Sequence, residues 1–297
     1  MQYRLGIDGG GTTTRAVIID ENMQDLGRGE AGSSNHYSVG VERAAQNIQL
    51  AVAAAVQSAR ISESAIASWG LGLAGACTAA EQALLREAIA PICPAQKLVI
   101  DEDVAAAQAG AFGGGAGAVC IAGTGANCFG INESGQRARV DGLGPLLGDR
   151  GSGYWIGEQT LRIVCKMEDG LIPKSPLLEK VLQQLEVADV AGLVQIVYQP
   201  DFERDRIAAL APIVMQLARI GDAASTEILQ SAGRELAATT IAVLRALNLR
   251  QVAPVGGILS QRTALRETYE AELKSAINGA EVLEAKYDAV IGAALLA

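Results

Sequence analysis

The sequence predicts an α/β fold built from two similar halves. In the first half, short apolar strands alternate with alanine-rich helices, which is typical of helices packed on a mostly parallel sheet. A unit of strand, glycine-threonine turn and strand occurs near residue 9 and again near residue 124. This repetition indicates a duplication, and 297 residues suffice for two medium domains with separate cores.

The first copy of the unit begins with the apolar strand 3–7. It leads into Asp8, three glycines and three threonines, and a second strand follows at 17–19. Glycine N–H groups can approach an anion closely, threonine hydroxyls add donors, and an aspartate suits Mg²⁺. The segment is therefore either a phosphate cradle with a metal ligand or a tight hairpin with locally bonded side chains.

The second copy favours the phosphate cradle. An apolar strand at 118–122 leads into Gly123-Thr124-Gly125, another strand at 128–131 and a polar turn at 132–135. Two units of one design predict that both halves of the chain face one nucleotide.

The remaining elements follow from apolar spacing and from helix-ending prolines and glycines. The glycine-rich segment 113–117 is a predicted hinge, the domain boundary is expected between residues 115 and 116, and the last helix can pack back on the first domain. Further helices are expected at 41–60, 79–90, 104–112, 154–166, 177–185, 206–220, 225–247, 262–277 and from 288, and strands at 69–73, 97–100, 251–255 and 282–285.

These motifs resemble those of the actin, hexokinase and sugar-kinase superfamily. Within it, the chain is similar to the N-acetylglucosamine kinase and bacterial glucosamine kinase branch of the BadF/BadG/BcrA/BcrD-type ATPases. The resemblance implies two actin-like (ribonuclease H-like) domains with a nucleotide cleft between them and a helical insertion in the second. It also implies ATP-dependent phosphorylation of the 6-hydroxyl of N-acetylglucosamine, with glucosamine as the alternative substrate.

The resemblance assigns ATP and Mg²⁺ to residues of both turns. The first turn resembles the phosphate-1 loop, segment 121–125 the phosphate-2 loop, and Gly256-Gly257 an adenosine-binding turn, while Asp8 would orient Mg²⁺. No GxxxxGK[ST] sequence is present, so the P-loop solution is excluded. The expected cofactor-binding residues are Asp8, Gly9, Gly10, Gly11, Thr12, Thr13, Gly123, Thr124, Gly125, Gly256 and Gly257.

The catalytic base is expected in the acidic run 101–103, where a strand meets a helix. These carboxylates could instead cap the helix and interact with its dipole. Strand alternation would place Asp101 and Asp103 on the same side, so spacing does not choose between them. The resemblance assigns the role to Asp103.

The sugar-binding residues are also implied by the resemblance. Amides and carboxylates can satisfy adjacent hydroxyls, whereas the local alternatives are an Asx turn for Asn35, a strand-edge amide for Asn127 and a helix N-terminal acid for Asp149. The expected set is Asn35, Asp103, Ala126, Asn127, Gly142, Leu143, Gly144 and Asp149.

Two positions depart from the pattern of this branch. Leu143 stands where tryptophan is frequent, and Arg150 where glutamate is frequent. Leucine could loosen the contact with the N-acetyl group or the face of the sugar, and the arginine places a cation beside Asp149. The preference between an acetylated and a free amino sugar therefore stays open. The single histidine, His36, is next to Asn35 and could line the sugar site, but a local hydrogen bond is expected for it. A chain with one histidine cannot form a multi-histidine metal site.

Composition excludes several other classes of protein. A net charge of −9 disfavours binding to nucleic acid or to an anionic membrane. Five scattered cysteines indicate reduced thiols, and an apolar strand at the very start predicts no signal peptide, so a cytoplasmic protein without a membrane span is expected. The resemblance further implies a homodimer.

Two other classes of function occur on related folds and make different demands on the sequence. An ATPase that activates a CoA-ester dehydratase would hold an iron–sulfur cluster, for which Cys120 and Cys128 are the nearest candidates. A DNA-binding sugar regulator would need a basic helix-turn-helix segment, which the sequence lacks.

Overall fold

The computed structural model describes residues 2–297 and contains two five-stranded sheets with helices, which confirms the mixed α/β class. The chain divides into two compact units. Unit 1 comprises the chain up to Val119 together with Gly130–Gln136 and Glu284–Ala297, and unit 2 comprises Cys120–Phe129 and Arg137–Leu283. A boundary between residues 115 and 116, in the sense of separately folding domains, stays a prediction.

The first sheet has the order β3-β2-β1-β4-β5. Its strands are β1 Tyr3–Gly9, β2 Thr13–Ile19, β3 Asp25–Gly32, β4 Ile66–Leu73 and β5 Lys97–Glu102. β1, β4 and β5 pair in parallel, whereas β2 pairs antiparallel with both β1 and β3. The parallel strands agree with the alternation of strands and helices, whereas short turns join β1, β2 and β3 as antiparallel hairpins.

The second sheet has the order β10-β9-β6-β7-β8. Its strands are β6 Gly117–Ala122, β7 Ala126–Ile131, β8 Arg137–Asp141, β9 Gln251–Val255 and β10 Glu281–Val282. β10 is shorter than the strand expected at 282–285, because residues 286 and 287 leave the sheet and donate to carbonyls of Ala111 and Gly110.

The helices confirm most of the expected segments. The helix expected at 206–220 is instead two helices that break after Ala208, and Pro212 lies in the first turn of the second, where its missing N–H costs nothing. The helix at 190–197 was not expected. In chain order the helices are α1 His36–Val39, α2 Val41–Ala59, α3 Ala79–Ile89, α4 Asp103–Phe112, α5 Gly153–Glu168, α6 Pro176–Gln184, α7 Val190–Val197, α8 Arg204–Ala208, α9 Ala211–Arg219, α10 Ala223–Leu247, α11 Ala264–Ala276 and α12 Ala289–Leu295.

The sheet of unit 1 is buried on both faces. One face packs against α2 and α3 through a core that includes Trp69, and the other packs against α12. The approach of α12 is so close that a Cβ on Gly70 would lie 1.9 Å from the Ala293 carbonyl oxygen, and one on Gly292 would lie 2.0 Å from that of Ala106. This packing fixes the strands whose carboxyl ends carry the candidate site.

No single helix within residues 2–297 is long and apolar enough to cross a membrane. The segments Arg204–Arg219 and Ala223–Leu247 are together long and apolar enough, but the chain bends by 118° between them.

Candidate active site

Asp8 lies at the carboxyl end of β1, beside the ends of the two strands parallel to it. It is opposite Gly72 in β4, which is in turn opposite Asp101 in β5. Burial, followed by the negative charge of Asp103, raises the pKa of Asp8 to about 6, against a smaller lowering by Arg15. The edge of this sheet therefore holds interacting carboxylates.

Asp103 and Asp101 have different environments. Strand β5 ends at Glu102 and Asp103 is the first residue of α4, so the expectation that strand alternation places both on one side is wrong. Asp101 is 6% exposed and accepts a hydrogen bond from the N–H of Glu102, 2.9 Å away. Asp103 is half-buried and interacts electrostatically with Asp8. Of the two carboxylates, Asp103 is thus the better placed to meet a ligand.

The first glycine turn is tied down on one side and open on the other. Gly9 accepts from the N–H of Ala74 at 2.8 Å, and the Ser33 hydroxyl donates to the Gly10 carbonyl at 3.1 Å. A Cβ on Gly9 would lie 2.1 Å from the Ser34 hydroxyl oxygen, whereas one on Gly11 would meet no described atom within 4 Å. The open side leaves room for a ligand at Gly11.

Asn35 and His36 follow strand β3 in unit 1. Asn35 caps α1, since its side-chain oxygen accepts from the N–H of Tyr37 at 3.0 Å, so the Asx alternative is realised. His36 stacks beside Tyr37, and its Nδ1 is buried without a hydrogen-bond partner among residues 2–297. The local hydrogen bond expected for His36 is therefore not formed at Nδ1.

The second glycine turn, in unit 2, is anchored by a helix. The N–H groups of Gly153 and Tyr154, at the start of α5, donate to the carbonyls of Gly123 and Thr124 at 2.8 and 3.1 Å. A Cβ on Gly125 would lie 2.8 Å from a carboxylate oxygen of Asp149. Both carbonyls thus point toward α5, and the Asp149 carboxylate packs against the turn.

Asp149 and Asn127 lie close to the same turn. Asp149 accepts from the N–H of Ala126 at 3.1 Å, and burial raises its pKa. It is not the N-terminal acid of a helix, because Ser152 caps α5. Asn127 packs against Gly142, and its side-chain oxygen is buried without a hydrogen-bond partner in the described chain. An unpaired buried acceptor is costly, so this site fits a hydroxyl donor from a ligand.

Gly256 begins a turn packed on the end of β6. Its φ is +97°, and a Cβ there would lie 2.4 Å from the Ala122 carbonyl oxygen, so glycine is required. Ile258 donates to the same carbonyl at 3.2 Å and, with Gly123 and Thr124, lines a cavity of about 260 Å³. Asp205, Ala208 and Pro212 complete much of the wall. Unit 2 therefore has a cavity directly beside its glycine turn.

Two charged residues of unit 2, Asp141 and Arg204, were not predicted from the sequence. Arg150 pairs with Asp141, 3.6 Å away, and the cation that faces Asp149 is instead Arg204, at 4.0 Å. Asp141 could have been found as an acid followed by glycine at the end of a short strand, whereas nothing local marks Arg204. Leu143 is 62% exposed in the loop that Asp141 begins.

The cysteines of unit 2 suit a core better than a cluster. Cys120 and Cys128 have no exposed surface, and the Cys128 sulfur lies 3.8 Å from the Thr240 hydroxyl. In the described part of the chain, no group of three or more His, Cys, Asp or Glu residues could hold a metal ion. A cluster ligand would need accessible sulfurs, which disfavours the iron–sulfur hypothesis.

The chain is similar to known proteins over its whole length. The family model described as BadF/BadG/BcrA/BcrD ATPase family matches residues 5–297. An N-acetyl-D-glucosamine kinase of Dictyostelium discoideum is 30% identical, over 99% of this chain and 97% of the relative. An N-acetylmuramic acid/N-acetylglucosamine kinase of Clostridium acetobutylicum is 27% identical, over 100% and 98%.

Solved structures show the same fold. A Chromobacterium violaceum protein, provisionally named N-acetylglucosamine kinase, superposes with a TM-score of 0.80 and 27% identity. The match covers 100% of this chain and 99% of that one.

Proposed function

Because the chain belongs to the BadF/BadG/BcrA/BcrD ATPase family, we propose that it is an ATP-dependent amino-sugar kinase. It transfers the γ-phosphoryl group of ATP to the 6-hydroxyl of N-acetylglucosamine, with glucosamine as the alternative acceptor. The observation that carries the proposal is the pair Asp8 and Asp103 at one sheet edge, beside a glycine turn that is open at Gly11. A metal-binding carboxylate, a second carboxylate for the acceptor and exposed amides are what such a transfer requires.

The glycine turns of the two units bind the phosphates in this proposal. Gly9 to Thr13 in unit 1 and Gly123 to Gly125 in unit 2 offer N–H and hydroxyl donors, apart from the N–H groups of Gly10 and Gly123, which donate within their own turns. The cavity of about 260 Å³ beside Gly123 holds the adenosine part of ATP, and the turn at Gly256-Gly257 leads into Ile258, which lines it. A chain with a net charge of −9 needs such local donors for an anionic nucleotide.

Asp8 suits a magnesium ion that travels with the nucleotide. Burial and the charge of Asp103 raise the pKa of the Asp8 carboxyl, and a nearby cation would favour its ionised form. Mg²⁺ prefers oxygen ligands and keeps several waters, so one carboxylate together with phosphate oxygens suffices. When bound, the ion would neutralise charge on the transferring phosphate.

Asp103 is the base in this mechanism. Its carboxylate accepts the proton of the sugar 6-hydroxyl while that oxygen forms a bond to the γ-phosphorus and the bond to the β-phosphate oxygen breaks. Asn35 in unit 1, and Asn127, Asp149, Ala126 and the 142–144 segment in unit 2, bind the sugar. The unpaired side-chain oxygen of Asn127 accepts from a sugar hydroxyl.

The experiment is coupled ADP release with ATP–Mg²⁺ against a panel of sugars. The panel is N-acetylglucosamine, glucosamine, N-acetylmannosamine, N-acetylmuramic acid, glucose and a blank without sugar, each repeated with a chelator. Turnover well above the blank with one amino sugar, lost with the chelator, supports the proposal and decides its substrate. Equal ADP release with every sugar and with the blank contradicts it and points to an ATPase.

A cytoplasmic location and homodimeric assembly belong to the same proposal. Sedimentation of the purified protein checks the assembly, for which a mass twice that of the 30.7 kDa chain is expected.

A further inference from the structure

Asp141 has an unusual place at the end of β8. Its backbone has a φ of +72°, a region that residues other than glycine rarely adopt, and its side chain is 1% exposed. Burying a carboxylate is costly unless its oxygens are hydrogen-bonded. The surroundings of Asp141 meet that need in full.

Three backbone N–H groups donate to the Asp141 carboxylate. Oδ1 accepts from Gly142 at 2.9 Å and from Asp149 at 2.7 Å, and Oδ2 accepts from Arg150 at 2.9 Å. Hydrogen bonds to an ionised acceptor are about twice as strong as neutral ones. One side chain therefore joins both ends of the loop 142–150.

The loop is shaped to admit this carboxylate. A Cβ on Gly148 would lie 2.0 Å from Asp141 Oδ1, so any other residue there would displace it. The guanidinium of Arg150 lies 3.6 Å from Oδ2 and offsets the buried negative charge. The anchor thus consists of an acid, a cation and a glycine that leaves room for them.

This anchor fixes Asp149 through its backbone. The N–H of Asp149 is held by Asp141, its own Oδ1 is held by the N–H of Ala126, and its φ is +54°. These constraints direct the Asp149 carboxylate toward the second glycine turn. They also fix the start of the 142–144 segment, which carries the exposed Leu143.

We propose that Asp141 is a positioning residue for amino-sugar recognition, which holds Asp149 and the 142–144 segment in their binding geometry without touching the substrate. The inference rests on the proposed kinase function. Arg150 offsets the negative charge of Asp141. Its role is therefore to support this anchor, and it does not pair with Asp149 or contact the sugar.

The test compares the variants Asp141→Asn and Asp222→Asn in steady-state kinetics. Asp141→Asn replaces an acceptor oxygen with an NH₂ group that faces either an N–H donor or Arg150. The KM for N-acetylglucosamine should rise at least about tenfold, with the KM for ATP within about twofold of wild type. Asp222 is a matched control, because its carboxylate also accepts an N–H, that of Ser225 at 2.8 Å, but caps α10 instead. Its loss should leave the sugar KM unchanged.

Amide hydrogen exchange gives a readout that does not depend on activity. The amides of Gly142, Asp149 and Arg150 should exchange faster in Asp141→Asn than in wild type, and unchanged exchange would overturn the anchor. Faster exchange with a normal sugar KM would overturn the role in recognition. If Asp141→Asn does not fold, Arg150→Gln serves instead, because Arg150 is 45% exposed at its side chain. A sugar KM raised about twofold or more is then expected, and a wild-type value overturns the proposal.

ADP release by the wild-type protein with the panel of sugars is measured before any variant is assayed. No sugar-dependent turnover in the wild-type protein overturns the proposed function itself. An active wild type together with an unaffected Asp141→Asn overturns only the role of Asp141.

Discussion

The two glycine turns have similar sequences but are stabilised in different ways. The turn of unit 1 follows a carboxylate, Asp8, whose pKa is raised to about 6 by burial and by Asp103. The turn of unit 2 follows Ala122 and has its carbonyls bound by the first N–H groups of α5. The first turn thus adjoins two interacting carboxylates, Asp8 and Asp103, whereas the second is held by a helix and packs against a single carboxylate, Asp149.

This difference indicates that the two units have separate tasks. A carboxylate that is costly to ionise is suited to binding a cation, because the cation offsets the cost of its negative charge. The second turn has its carbonyls bound by α5 and its Gly123 N–H donating to the Gly125 carbonyl at 2.9 Å, so it is a preformed backbone cradle that suits a phosphate. The reacting groups are therefore expected in unit 1, and much of the binding geometry in unit 2.

The largest effect is expected for Asp103→Asn. An amide cannot accept the hydroxyl proton, so kcat should fall roughly 100-fold or more while the KM for ATP stays near wild type. Asp101→Asn is the matched control, because Asp101 is buried in the neighbouring strand, and a fall in kcat below about tenfold is expected for it. Near-normal turnover in Asp103→Asn would move the base elsewhere, first to Asp101.

A change in stability is expected for Asp8→Asn. The folded-state pKa of Asp8 is about 6, above the usual 3.8, so the wild-type protein loses stability as the pH rises from about 4 to 6. Two pKa units correspond to about 2–3 kcal/mol. Urea denaturation at pH 4 and at pH 7 should show that the free energy of unfolding of the variant gains this much over wild type between the two pH values. A difference that does not depend on pH would show that Asp8 ionises normally.

A stability difference is also expected between Gly9→Ala and Gly11→Ala. A Cβ on Gly9 would collide with Ser34 and with Leu73, 2.1 and 2.5 Å away, whereas Gly11 is open. Overpacking costs about 1–3 kcal/mol, so only Gly9→Ala should lower the free energy of unfolding by that amount. Equal losses of stability in the two variants, measured by thermal denaturation, would contradict the packing of the turn at Gly9 and its openness at Gly11.

The smallest effect is expected for Arg204→Gln in unit 2. Arg204 lies 4.0 Å from Asp149 and is 49% exposed at its side chain, and such ion pairs contribute about 0–1 kcal/mol. The sugar KM should change by less than about threefold, as titration of the variant with N-acetylglucosamine would check. A larger change would give Arg204 a direct part in binding.

The fold was largely predictable because its signals are local. Strand β9 and helix α2 follow from apolar spacing bounded by turn residues, and both were found within one residue. The break between α8 and α9 was missed although Pro212 marks it, because the apolar pattern continues through it. The antiparallel pairing of β1 with β2 follows from the short glycine turn that separates them.

The candidate site was predictable only in part. Asp8 and the glycine turns have compact motifs, whereas Asp141 and Arg204 act through contacts with residues distant in sequence. Asp141 bonds to residue 149, and Arg204 reaches the same residue from a helix 55 positions later. Such pairs are set by packing: the acid-glycine pair at the end of a short strand marks Asp141 but not its bonding partners, and no local pattern marks Arg204.

The most direct test of amino-sugar phosphorylation is phosphorus-31 NMR of the reaction with ATP–Mg²⁺ and N-acetylglucosamine. The proposed mechanism predicts one new phosphomonoester signal, coupled to the protons on C6, that grows together with ADP. The 6-deoxy analogue should give no such signal. Inorganic phosphate as the only product besides ADP, or a phosphoester on another hydroxyl, would contradict transfer to the 6-hydroxyl.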